Sequence, residues 1–328
     1  MAATIHEVAR RAGVSASTVS RAFSSPDLLR EATRTAVLAA ATELGYTPNR
    51  VAQGLVTGRT GNIGMLVPDI ANPFFPPLVK GATNHALGAD MSVFLASSDL
   101  DPTREARAVR QMTRQVDGLL LCSTQLPDDT LTALAAELPT VLVNRTCPGL
   151  PAVLVDTASG MRDAVDHLAA HGHRGLVYLS GPAGSWSNAQ RRHALRTHTR
   201  RRGLDLTVLG PYLPSYEAGV QAADRVLDTR ATAVVAYDDQ MALGVLSRLH
   251  ERGASVPADV SVVGCDDVLP MGLARPALTT VSAPCEVVGR AAVELLLAGR
   301  GGAPARPTDT RYPGQLVVRA STGPAPRR

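Results

Sequence analysis

Aromatic side chains are scarce in this chain, at 3% of 328 residues, with one Trp, four Phe and six Tyr. A core must therefore be filled by Ala, Val and Leu, and the 45% hydrophobic content supplies them. Cysteine is sparse as well. Cys122, Cys147, Cys265 and Cys285 stand far apart with no C-x-x-C spacing, which argues against a disulfide scaffold or a zinc site and fits free thiols in a reducing compartment. No run of 18 uncharged apolar residues occurs, so no membrane span is expected. The first residues carry His6, Glu7, Arg10 and Arg11 where a secretion signal would be apolar, so the expected location is the cytoplasm. Lysine is nearly missing too, Lys80 being the one Lys among 33 basic residues. With 19% charged residues and this apolar content, the composition excludes a disordered chain.

The charge is unevenly spread. Residues 1–60 hold seven arginines against Glu7, Asp27, Glu31 and Glu43, so most of the net +4 lies in this short stretch. A local basic excess suits a polyanionic partner. Thr4-Ile5-His6-Glu7 has the form of a capping box and predicts a helix to about Arg11, with Ile5, Val8 and Ala9 as its apolar face. Gly13 stops that helix, and Ser15 caps a second from Ala16 to Phe23 with Val19 inward. A third is expected from Glu31 to Leu44, with Val37, Leu38, Ala41 and Leu44 on one face and Gly45 and Pro48 ending it. Ala9 before Gly13 and Val19 after it have the spacing of a helix-turn-helix. The small residue lets two helices approach, the glycine takes a left-handed turn, and the aliphatic residue locks the second helix onto the first. Another three-helix bundle could show the same pattern; the capping box and the basic excess favour DNA.

These residues also carry a resemblance. Thr4-Ile5-His6-Glu7-Val8-Ala9, Gly13-Val14-Ser15, Thr18-Val19-Ser20-Arg21 and Gly45-Tyr46-Thr47-Pro48-Asn49 resemble the DNA-binding headpiece of the lactose repressor/galactose repressor family of transcriptional regulators. The resemblance implies that the second helix enters the major groove of a near-palindromic operator. Ala16, Ser17 and Arg21 would face base edges, and Thr4, Ser15, Thr18 and Ser20 would hold phosphates. Asn49-Arg50-Val51-Ala52-Gln53-Gly54-Leu55 is similar to the family's hinge helix. That implies DNA contacts by Asn49, Arg50 and Ala52, with Leu55 as a wedge in the minor groove. So short a segment, with a glycine in it, is expected to fold only against a second copy on DNA. Two features depart from the family: Arg30 where a Ser usually caps the third helix, and the loop Ser24-Ser25-Pro26-Asp27 before it.

From Asn62 onward short apolar runs alternate with helical patterns. Strands are expected at 63–68, 92–96, 118–121, 140–143, 152–155, 176–179, 232–236 and 260–263. Continuous Val, Leu and Ile runs separated by helices mean parallel sheet covered on both faces. The sequence leaves open whether there is one sheet or two. The resemblance implies an N-terminal all-α helix-turn-helix headpiece at 1–47, a hinge at 48–60, and an α/β two-lobed periplasmic-binding-protein-like (type I) effector and dimerisation domain at 61–328. One lobe would take 61–156 and 285–311, the other 157–284 and 312–328. The tail Ala320 to Arg328 has no heptads, so a homodimer is expected, not a coiled-coil tetramer.

Polar residues gather where the apolar runs end: Asn72, Phe74 and Phe75 after the first, Asn144 after the fourth, then Asp238 and Asp266. In open α/β sheets these ends line the ligand crevice. Carboxylates accept from hydroxyls and arginine donates to them, which suits a small carbohydrate effector. Arg191 stands at the family's ligand-binding Arg position. Trp186, Phe74 and Phe75 could stack on a sugar ring, although Phe75 and Trp186 could equally be packing, and Asp239 and Asp267 helix caps. Matched pocket positions add Cys122, Pro214 and Cys285, and Asn144 stands where many members have Asp.

No cofactor is expected. His167 and His171 lie one helical turn apart near His173, but no zinc motif surrounds them, so no metal is expected either. G-x-S-x-G, G-x-G-x-x-G and Walker loops are missing, and Gly54-x-x-x-Gly58 lacks the lysine of a phosphate loop; the chain does not read as an enzyme. The alternatives are a sugar-binding protein of the same fold without a regulatory role, and an α/β hydrolase using Asp238–Asp239 or Asp266–Asp267 as its carboxylate pair.

Overall fold

The computed structural model describes residues 3–24, 26–47, 58–268, 274–299 and 309–327. Asn49, Arg50, Ala52 and Leu55 lie outside the described residues. The chain divides into two compact units, with the division between Gly61 and Asn62.

Among the described residues the first unit has three α-helices, α1 (Ile5–Ala12), α2 (Ala16–Ser24) and α3 (Glu31–Glu43). Both halves of the capping box form. Thr4 N–H donates to Glu7 Oε2 at 2.7 Å, and Glu7 N–H donates to Thr4 Oγ1 at 3.4 Å. Gly13 takes φ 69°, the left-handed conformation that turns the chain into α2, and Val14 N–H closes the turn on the Ala9 carbonyl at 3.0 Å. Val8, Ala9, Val19, Ala22, Val37, Ala40 and Ala41 form the core. The inward face of α3 is thus Val37, Ala40 and Ala41. Leu38 is only half-buried, and Leu44 is exposed beyond the end of the helix. In so small a bundle alanine lets the helices approach, and the expected leucines lie off the seam. Arg30 precedes α3 without a side-chain cap.

The second unit has two six-stranded sheets, which settles the number of sheets. The first runs in the order β11-β5-β4-β3-β1-β2, from β1 (Asn62–Val67), β2 (Ser92–Ser97), β3 (Leu119–Cys122), β4 (Thr140–Val143), β5 (Ala152–Asp156) and β11 (Asp309–Pro313). The second runs β12-β10-β9-β8-β6-β7, from β6 (Gly175–Leu179), β7 (Asp205–Leu209), β8 (Ala233–Ala236), β9 (Ser261–Asp266), β10 (Thr279–Ser282) and β12 (Leu316–Val317). Among the described residues only β10 and β12 pair antiparallel. Helices cover both: α4 (Phe75–Gly88), α5 (Pro102–Met112), α6 (Asp128–Glu137) and α11 (Cys285–Ala298) in the first lobe, and α7 (Thr157–Ala170), α8 (Trp186–Arg202), α9 (Tyr216–Leu227) and α10 (Asp239–Glu251) in the second. The chain crosses between the lobes after Asp156, after Ser282 and after Pro313.

Strands β7, β10, β11 and β12 were not expected from the sequence. The edge strands β7 and β11 read Asp-Leu-Thr-Val-Leu and Asp-Thr-Arg-Tyr-Pro, half-exposed or exposed and without the continuous apolar run of a central strand. Each lobe also has one helix pair brought close by facing glycines, Gly81 with Gly289 between α4 and α11, and Gly219 with Gly244 between α9 and α10. A methyl group on Gly289 would strike the Leu78 carbonyl, which is backbone and cannot swing aside. Gly289→Ala should therefore destabilise the protein by about 1–3 kcal/mol or more. A urea unfolding midpoint equal to that of the wild type would show that the helix pair has slack.

Candidate functional site

The two halves of the site read from sequence lie in separate units. In the first unit, α2 presents Ser17 and Arg21 exposed, with Thr18 and Ser20 half-buried. Ala16 is partly used by the core, so only part of its surface is open. Ser15 Oγ accepts from Thr18 N–H at 3.2 Å and lies 2.8 Å from both Ser17 Oγ and Thr18 Oγ1. Thr4 is exposed one helix away. The helix thus begins with a cluster of hydroxyls and carries Arg21 at its far end. Arg11 and Glu43, 2.7 Å apart, tie α1 to α3 behind it.

In the second unit a partly open cleft lies between the lobes at the carboxyl ends of the strands. From the first lobe it is lined by Pro68, Asp69, Asn72, Phe74, Phe75, Leu100, Ser123, Gln125 and Asn144. From the second come Pro182, Ser185, Ser187, Arg191, Pro214, Tyr237, Asp238 and Asp266. Four lining residues that are not glycine hold positive φ at or shortly after strand ends: Leu100 at 60°, Ser123 at 48°, Asn144 at 52° and Asp266 at 108°. Such backbone costs free energy and concentrates at functional sites.

Arg191 is the centre of the polar floor. It is 4% exposed on the second turn of α8. Its Nε donates to Thr157 Oγ1 at 3.1 Å, its Nη1 to the Tyr237 carbonyl, and its Nη2 to Asp266 Oδ1 at 2.7 Å. The guanidinium carbon lies 4.8 Å from the Tyr237 ring centroid. Burial is the largest influence and works against the charge of Arg191, but Asp266, with Cys265, Tyr237 and Tyr178, outweighs it and holds the group protonated well above its ordinary range. Asp238 caps α10 through Met241 N–H at 2.9 Å, and its other oxygen accepts from Asn72 Nδ2 at 3.3 Å, a hydrogen bond between the lobes. Burial, then the neighbouring Asp266 charge, pushes the Asp238 carboxyl up to about 7. Asn144 accepts from Val155 N–H through Oδ1 at 2.8 Å, which leaves its amide nitrogen to the cleft. Tyr237 lies beside Ser185 with 3.2 Å between their hydroxyl oxygens, and burial pushes its phenol up to about 12.

The structure brings Asn72, Phe74, Phe75, Asn144, Arg191, Asp238 and Asp266 together around the cleft. It does not bring Cys122, Trp186 or Cys285 there. Cys122 and Cys285 are buried in the first lobe's apolar core, where burial pushes both thiols up. Trp186 packs against the other apolar cluster of the first lobe. Asp239 is structural: it accepts from the Thr280 hydroxyl at 2.6 Å and from Val268 N–H at 3.3 Å, and burial pushes it up to about 8. Asp267 pairs with Arg319 at 2.8 Å. Sequence reasoning missed Asp69, Ser123, Gln125, Ser187 and Tyr237 as lining residues, although each lies within a few residues of a strand end or of Arg191, where the signal was. His173 is buried between Thr232 and the Gly323 carbonyl, and His167 lies 2.9 Å from the Thr322 hydroxyl, so these rings fasten the chain's last segment. Among the described residues no group of three His, Cys, Asp or Glu is placed to hold a metal ion.

The model for bacterial regulatory proteins of the lacI family matches residues 4–49, and a periplasmic binding protein-like domain matches residues 165–322. The transcriptional regulator GalS of Salmonella typhimurium is 35% identical over 307 residues, covering 91% of this chain and 90% of that protein. A structure of the lac repressor dimer bound to operator and the anti-inducer ONPF superposes with a TM-score of 0.85 at 29% identity, covering 98% of this chain and 100% of that one. The regulator CelR in complex with cellobiose gives 0.72 at 31% identity, covering 97% and 99%.

The two raised carboxyls make stability depend on pH. Below about pH 4 the folded and unfolded chains both hold these protons. As pH rises, the folded chain keeps them longer, to about 7 at Asp238 and about 8 at Asp239, so their contribution to stability is lost across that interval. The urea midpoint of Asp239→Asn should fall less between pH 5 and pH 8 than that of the wild type. Parallel curves would contradict the buried, protonated Asp239.

Proposed function

The chain belongs to the lacI family of bacterial regulatory proteins and is a DNA-binding transcriptional regulator, and on that premise we propose that it is a repressor whose hold on its operator is set by a carbohydrate in the interlobe cleft. The carrying observation is the cleft floor: a buried, charge-paired guanidinium beside Asp238 and Asn72, with Phe74, Phe75 and Tyr237 around it. An arginine has five N–H groups, and Arg191 directs three of its nitrogens at fixed acceptors, so it is oriented and still has donors to offer hydroxyls. Asp238 and Asp266 accept from hydroxyls. Aromatic faces suit the apolar side of a sugar ring. The structure of CelR is a cellobiose complex, which supports a sugar as the ligand of this chain.

The DNA half rests on α2. Arg21 is long enough for a bidentate contact to guanine, whereas Ala16 and Ser17 offer a methyl group and one hydroxyl. Thr4, Ser15, Thr18 and Ser20 are suited to phosphates, which position the unit without reading sequence. The lac repressor structure is of a dimer on operator, which supports a homodimer reading a near-palindrome here. In that arrangement the segment 48–60 joins the DNA-binding unit to the lobes and carries the state of the cleft to it. Among the described residues no helix is long and apolar enough to cross a membrane, and the proposed place of action is the cytoplasm, at the nucleoid where an operator lies.

The test is selection of duplexes from a random pool by the full chain at moderate salt. The selected sites should converge on an inverted repeat. Arg21→Ala should then bind them more weakly by about 1–3 kcal/mol and accept other bases at one position in each half-site. A pool that stays random, or a variant with unchanged base preference, would remove α2 as the reading element.

A further inference from the structure

Trp186 stands between two cleft-lining serines, Ser185 and Ser187, yet its side chain leaves the cleft. It begins α8 of the second lobe and packs, half-buried, against the first-lobe cluster that contains Leu121, Leu126 and Leu131. Other groups meet along the same seam. A methyl group on Gly184 would lie 2.6 Å from Gln125 Oε1, so this glycine sits directly under a first-lobe side chain. Val268 of the second lobe packs against the first lobe's other cluster. The polar contact across the cleft, Asn72 to Asp238, is long at 3.3 Å. The indole is the largest apolar group crossing between the lobes, and such rings dominate interface energetics.

The receiving loop is fixed from behind. Glu105 on α5 is buried, and its carboxylate accepts from the Thr124 hydroxyl and, at 3.2 Å, from Gln125 N–H. Leu126 N–H donates in turn to Thr124 Oγ1 at 3.2 Å. A loop ordered in advance loses little entropy when a partner seats on it. Ser185 accepts from Asn188 N–H at 3.2 Å, and Asn188 holds the Gly181 and Pro182 carbonyls at 3.1 Å, so the strand-to-helix turn that carries Trp186 is rigid too.

We infer that Trp186 is the positioning residue that holds the two lobes closed. Its ring, seated in the first lobe, fixes the first turns of α8 and with them Ser185, Ser187 and Arg191 over the cleft. Without the ring the lobes open and these three groups move off the first-lobe lining. The closure itself is independent of what the protein binds; its effect on DNA affinity rests on the proposed function.

The test traps closure in the full chain carrying Gln125→Cys and Gly184→Cys. A methyl carbon at 184 lies 3.7 Å from Gln125 Cγ, where a cysteine sulfur at 125 would sit, and this is near disulfide reach. The four native thiols are buried. Oxidised glutathione is added, and the cross-link is counted by peptide mass after denaturation. With Trp186 present the bond should form readily. Adding Trp186→Ala should slow its formation about tenfold, the change expected when closure loses ~1.4 kcal/mol, while Trp186→Phe should keep the parent rate. Equal rates with Ala, or no cross-link in the parent, would overturn the inference. Should the Ala variant fail to fold, acrylamide quenching of the wild type decides. Trp186 is the chain's one tryptophan. Seated in the seam it should be quenched several-fold less than in the urea-unfolded chain, and equal quenching would overturn the assignment.

Discussion

A guanidinium taken out of water must bring its counter-charge with it. Removing one member of such a buried pair leaves the other uncompensated, at a cost of several kcal/mol. Arg191 and Asp266 meet this demand from α8 and β9 of the same lobe, 2.7 Å apart, with Thr157 and the Tyr237 carbonyl taking the other directions. The rest of the cleft is arranged around that pair. Asp266 adds to the effect of burial in raising the pKa of Asp238 while Arg191 opposes it, the arginine lies against the Tyr237 ring, and Asp266 takes a backbone conformation at the end of β9 that non-glycine residues avoid.

Because the pair lies wholly in the second lobe, it survives opening of the cleft. What closure adds comes from the first lobe: Asn72, the two phenylalanines, Gln125 and Asn144. In the proposed function a hydroxylated ligand would lie between a preorganised charged floor and a polar and aromatic roof. That arrangement lets ligand binding and lobe closure be thermodynamically linked, and linkage runs both ways: whatever favours closure raises ligand affinity by the same factor. Trp186 contributes to this equilibrium from outside the cleft.

Much of this was legible in the sequence where one local cause decides the outcome. Thr4 with Glu7, and Gly13 after Ala9, specify the first two helices from their own neighbours. Most central strands announced themselves as continuous aliphatic runs because both of their faces are covered, whereas the central β10, Thr-Thr-Val-Ser, has no such run and was missed. The edge strands Asp205–Leu209 and Asp309–Pro313 were missed because they keep polar or exposed residues that only a neighbouring strand explains. Asp266 was read from its position at a strand end and Arg191 from the family resemblance, and the structure puts both in the cleft. Trp186, Cys122 and Cys285 were placed in the ligand set by position along the chain, and position does not say which way a side chain turns. Trp186 turns into the opposite lobe, and the two thiols turn into the core, as small apolar groups do. Gln125 was missed for the converse reason, since only the facing of the two lobes gives it a role.

The central claim is that a sugar acts through the Arg191–Asp266 floor to change the grip on DNA. It is tested most directly by titrating a selected operator duplex with and without a sugar that raises the protein's melting temperature. The wild type is compared with the double variant Arg191→Met/Asp266→Asn, which removes both charges and so orphans neither. The variant should bind the duplex like the wild type and be indifferent to the sugar. A variant whose operator affinity still shifts with the sugar as the wild type's does would place the control of DNA binding elsewhere in the molecule.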